Sequence, residues 1–135
     1  MLTETLVPIL SEMDIVMARQ QGRALATELG FRPGDLTLIA TAISEIARNI
    51  LIYASHGEIL LRQIQDGTLR GILVVGRDQG PGIPDIDRAM QDGYSTGKSL
   101  GLGLPGAKRI MDDFNIVSEV GRGTTVTMKK WNRRP

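Results

Sequence analysis

The chain has 135 residues, the size of one domain, with 16 Lys and Arg against 15 Asp and Glu and a net charge of +1. A chain of this length can bury roughly two thirds of its unfolded surface around one core, and so even a charge balance advertises neither a nucleic-acid surface nor a membrane surface. The absence of cysteine excludes disulfides, thiolate metal sites and a thiol nucleophile, and no apolar run approaches the roughly 18 residues of a membrane span, so a single cytoplasmic domain over 1–135 is the expectation.

Residues 3–10 read as a strand, at a sheet edge because Pro8 has no N–H to give a ladder. Ser11 with Asp14 has the form of a capping box, and Ile15, Ala18, Gly22, Leu25 and Leu29 follow at helical spacing until Gly30 ends the run. Residues 31–34 read as a turn and Asp35 as the cap of a second helix. The apolar face Leu36, Ile39, Ala40, Ile43, Ile46, Ala47, Ile50 carries that helix to about Ala54. Segments 58–65 and 69–77 flank Asp66-Gly67, a strong hairpin signal. After the loop 78–84 come a short helix near 85–91, a glycine-rich stretch, a helix from about 105 to 113, and strands near 116–120 and 125–131 that turn around 121–124. The sum is a two-layer α/β (α+β) sandwich, a mixed and largely antiparallel sheet with helices on one face.

The glycine-rich stretch, GYSTGKSLGLGLPG over 93–106, holds near-copies of two phosphate signatures. A P-loop needs four residues between its first Gly and the Gly-Lys pair, after a strand; Gly93 and Gly97 enclose three, and a helical segment precedes them. Gly101, Gly103 and Gly106 satisfy the dinucleotide spacing, yet a loop stands where that fingerprint requires a strand. What survives is an anion-binding arrangement: glycines that allow close backbone approach, followed by a helix N-terminus.

Three other features bear on it. Glu45 and Asn49 lie at i, i+4 on one side of the second helix, either a solvated face or a catalytic pair. Asp78 ends a strand and is followed by Gly80 and Gly82, so it either caps a turn or accepts from an exocyclic amine, with Gly82 letting a base lie against the backbone. Gly121-Arg122-Gly123-Thr124 is either a hairpin turn or the carrier of a hydroxyl beside the same base.

In this order and spacing the four blocks resemble the GHKL superfamily of ATPases and kinases, with its Bergerat fold, over nearly the whole chain. The N box corresponds to 45–49, the first glycine box to 78–82, the second to Gly101-Leu102-Gly103 and the final Gly-Thr block to 121–124. Asp14-Ile15-Val16, 42–50 and 78–85 further resemble the switch serine/threonine kinases of bacterial stressosomes, relatives of anti-sigma-factor serine kinases. The resemblance implies ATP and Mg²⁺ as cofactors, Glu45 as general base, and Asn49 as both nucleotide contact and metal ligand. Asp78 would accept from adenine with Thr124 in support, and Gly80, Gly82, Ile83, Gly101, Leu102 and Gly103 would line the nucleotide. Residues 93–100 would form an ATP lid, with Lys98 near the terminal phosphates. The single histidine, His56, follows the second helix in a turn, so the phosphate acceptor belongs to another molecule. By resemblance the acceptor is a serine or threonine of a STAS-domain scaffold or antagonist, and the released kinase activates a PP2C-type phosphatase. A non-catalytic nucleotide-dependent switch and a plain ATPase are the rival readings.

Overall fold

The computed structural model describes residues 4–84, 86–90 and 103–133, except the side chains of 87 and 88. Along these the order is β1 (Glu4–Ile9), α1 (Glu12–Glu28), α2 (Pro33–Ala54), β2 (Gly57–Asp66), β3 (Leu69–Asp78), α3 (Ile86–Ala89), α4 (Gly103–Ile110), β4 (Asp113–Glu119) and β5 (Gly123–Asn132). The Asp66-Gly67 signal is a tight hairpin: Asp66 pairs with Leu69, and Gly67 takes the positive φ of 64° that the turn demands. The strands form one sheet in the order β1-β2-β3-β5-β4. Every ladder among the described strands is antiparallel, so the sheet shows no mixed character there.

Alternation decides which face of the sheet is covered. Ile59 and Leu61 of β2, Ile72 and Val74 of β3, and Val126 and Met128 of β5 are all buried and share one core with Ile39, Ile43, Ile46 and Ile50 of α2. That helix is central, packed against α1, α4 and the sheet. A side chain at Gly22 of α1 would run into Ile43, so glycine there lets the two helices lie close. Being covered on several sides, α2 is apolar well round its circumference. Contrary to the sequence expectation that no run is long and apolar enough for a membrane span, its mean hydropathy reaches 1.4 over 18 residues, enough by length and composition to cross one, and 56% of that window is buried inside the protein.

The element boundaries differ from the sequence expectation in three places. Pro33 begins α2 instead of lying in a turn, with extended Arg32 as N-cap and Asp35 inside the first turn; proline has the right φ there and lacks an N–H that would be unsatisfied anyway. Helix α4 starts at Gly103 and stops at Ile110, because pairing with β5 captures the chain that follows. Asp112 N–H donates to the Lys129 carbonyl at 2.9 Å, and the Asp112 carboxylate accepts from Trp131 N–H at 2.7 Å. Lastly, Gly123 and Thr124 already belong to β5, and Arg122 N–H closes the turn on the Glu119 carbonyl at 2.9 Å. At the other end of the chain, Asp14 Oδ2 accepts from Ser11 N–H at 3.1 Å and Leu10 N–H at 2.8 Å, as the capping signal requires.

Candidate nucleotide site

Asp78 is the last residue of β3, flanked in register by Gly57 of β2 and Thr124 of β5. Its Oδ1 accepts both Gly80 N–H at 2.9 Å and Thr124 N–H at 3.3 Å. Two backbone donors thus orient the carboxylate through one oxygen, while Oδ2 takes no bond from the described residues and is an acceptor to spare. The Thr124 hydroxyl does not meet Asp78. It bonds Ser118 Oγ at 2.8 Å, and Ser118 Oγ accepts from Ile83 N–H at 2.7 Å.

This serine knits the loop after Asp78 onto the β4–β5 hairpin, helped by Gly121 N–H donating to the Pro81 carbonyl at 2.9 Å. Sequence reasoning passes over Ser118; the signal that finds it is the register, which sets it opposite Thr124. The glycines here also answer to the protein itself. A Cβ on Gly80 would press on Ala54 at the end of α2, one on Gly82 (φ 81°) on the Glu119 backbone, and one on Gly123 (φ 119°) on the Asp78 carbonyl. Gly82 therefore owes its lack of side chain to close backbone packing against β4, where the sequence suggests room for a base. Ile83 packs partly buried against the core.

The second half of the site is on α2. Glu45 is 8% exposed, and its Oε2 accepts Gly103 N–H at 2.8 Å, at the N-terminus of α4. Its Oε1 lies 3.6 Å from the Arg48 guanidinium, one turn along the same helix. Asn49, half-buried, follows Glu45 by four residues, and its side chain makes no hydrogen bond with the described residues, leaving its amide oxygen available to a cation. Gly103 has a φ of 57°, and behind it Leu104, Pro105, Gly106 and Ala107 are all buried. Gly103, half-buried at that helix end, gives its N–H to Glu45, so the second glycine box meets the N box through it.

Lys98, Gly101, Leu102 and the lid at 93–100 lie outside the described residues. A cleft of about 590 Å³ reaches Asp78 from the side of His56, Glu58, Arg77 and Thr125, and contains neither Glu45 nor Asn49. His56 is exposed, as expected of a turn residue. A neutral amide, a carboxylate oriented by backbone donors and a helix N-terminus form a donor set suited to Mg-ATP, the amide completing a shell otherwise made of phosphate oxygens and water.

The sequence profile of the histidine kinase-, DNA gyrase B- and HSP90-like ATPases matches residues 34–134. The chain is 51% identical over 130 residues to the serine/threonine-protein kinase RsbT of Bacillus subtilis (strain 168), covering 96% of this chain and 98% of that protein. It is 33% identical over 121 residues to the anti-sigma F factor of Geobacillus stearothermophilus, covering 84% and 81% respectively. The solved structure of the RsbU and RsbW domains of Rv1364c from Mycobacterium tuberculosis superimposes with a TM-score of 0.64 at 20% identity, over 99% of this chain and 33% of that longer one, a likeness of fold. The chain belongs to the family of histidine kinase-, DNA gyrase B- and HSP90-like ATPases.

Proposed function

We propose that the chain is a serine/threonine protein kinase that carries the γ-phosphate of ATP to a hydroxyl on a partner protein and works as a partner switch. The observation that carries this reading is the meeting of the buried Glu45 carboxylate with the Gly103 N–H, which brings a base and a phosphate-binding helix end to one place. In the step proposed, Glu45 takes the proton of the incoming hydroxyl as its oxygen forms the bond to γ-phosphorus, the bridging bond to ADP breaks, and ADP leaves with that electron pair. Asp78 Oδ2 accepts from the adenine amine, and Gly101, Leu102 and Gly103 hold the phosphates with Lys98. Magnesium held by Asn49 Oδ1 would supply charge neutralisation on the phosphates.

The 51% identical relative carries the name of a serine/threonine kinase, and the anti-sigma F factor relatives support a partner-switching setting. On that basis the acceptor is a STAS-domain scaffold or antagonist of a stressosome, and the released kinase engages a PP2C-type phosphatase in the cytoplasm. ADP release by the purified chain, followed with and without an extract of the source cells, tests the reading. A kinase releases ADP in proportion to acceptor; release equally fast without extract would make the chain a plain ATPase.

A further inference from the structure

Among the described residues Glu45 meets a partner at each of its oxygens, and these differ in kind. Oε2 accepts the Gly103 N–H, a donor at a helix N-terminus whose positive end attracts anions in general, phosphate among them. Oε1 faces Arg48, whose side chain is 36% exposed and springs from α2 one turn beyond Glu45. One N–H in line with one acceptor cannot serve two anions fully, and a carboxylate next to an incoming phosphate adds like-charge repulsion. We propose that Glu45 and a nucleotide phosphate compete for the Gly103 N–H, and that Arg48 keeps Glu45 in place when the phosphate wins. Nucleotide binding then takes the Gly103 N–H from Oε2 and turns that oxygen toward the incoming hydroxyl. Arg48 is a positioning residue, acting through Glu45 without touching the reacting atoms.

The inference deepens the base role proposed above for Glu45, but the competition is measurable without catalysis. Titration calorimetry of Mg-ADP, with adenosine as a ligand that lacks phosphate, compares the wild type with Glu45→Ala and Glu45→Gln. Competition predicts that Glu45→Ala binds ADP about tenfold more tightly, the scale of one lost charge-assisted bond, with adenosine affinity unchanged. Glu45→Gln, which loses the charge but keeps an oxygen for the N–H, falls between. Equal tightening in both variants would mean simple charge repulsion and would overturn the competition, as would unchanged or weaker ADP binding in Glu45→Ala. For Arg48, the expected result is a lower kcat in Arg48→Ala with KM for ATP within about twofold, partly recovered in Arg48→Lys. No recovery in Arg48→Lys, with kcat falling only as thermal stability falls, would overturn the positioning role. Phosphate transfer surviving in Glu45→Ala would instead remove Glu45 as the base, and the ADP and adenosine comparison would still decide the competition.

Discussion

The two oxygens of Asp78 divide between a structural task and the adenine contact proposed for the site. Oδ1 is committed to two backbone N–H groups, so replacing Asp78 by Asn preserves a carbonyl for them but turns an amide NH₂ toward the donor that Oδ2 would have met. Asp78→Asn should weaken ATP binding by about ten- to a hundredfold, the loss of one charge-assisted bond, with little loss of fold; unchanged affinity by calorimetry would displace Asp78 from the adenine site. Glu45→Ala should keep the fold and abolish transfer, checked by single-turnover phosphorylation, because no other carboxylate of α2 shares its side of the helix at that turn. The placement of Glu45 and Asn49 on one side of a helix and of Asp78 at a strand end was legible in the sequence because helical spacing and a strand's end are local properties. The Ser118 hydroxyl was not, since its meaning depends on a register fixed only when β4 pairs with β5.

Two glycines of the final block make different demands on their element, although only Arg122 separates them in the sequence. Gly121 has positive φ with nothing within 4 Å of where a methyl would sit, whereas the same methyl on Gly123 would strike the Asp78 backbone. Gly121→Ala should cost about 1 kcal/mol, the strain of a left-handed residue. Gly123→Ala should cost about 2 kcal/mol or more and weaken ATP binding as well, since the ladder carrying Thr124 N–H to Asp78 must shift. Urea denaturation of both variants, with equal costs as the contrary result, checks this. The same non-locality explains the misplaced boundaries. Residues 111–113 look helical from their neighbours, yet Asp112 and Lys130 bind across to the opposite segment, Lys130 Nζ donating to the Ile110 carbonyl at 3.0 Å. Propensity alone does not weigh such contacts.

At the scale of the whole molecule, α2 is at once the centre of the core and the carrier of Glu45 and Asn49, so stability and the proposed activity share one element. Ile43 is fully buried against Gly22 of α1 and the sheet; Ile43→Ala should cost about 2–5 kcal/mol of a total of roughly 5–15, while Met13→Ser, at a position 67% exposed, should cost less than about 0.5. Chemical denaturation separates the two, and comparable losses would contradict the assigned core. The general architecture was readable from periodicity and the hairpin signal, whereas the purely antiparallel strand order β1-β2-β3-β5-β4 arises from long-range pairing that no window of sequence contains. With its base at a phosphate-binding helix end, the molecule on the proposed reading acts on another protein. The direct test is transfer from γ-labelled ATP, with magnesium, into an extract of the source cells, comparing wild type with Glu45→Ala. An acid-stable label on a second protein, absent with the variant, is the expected result; free phosphate with no labelled protein would contradict it.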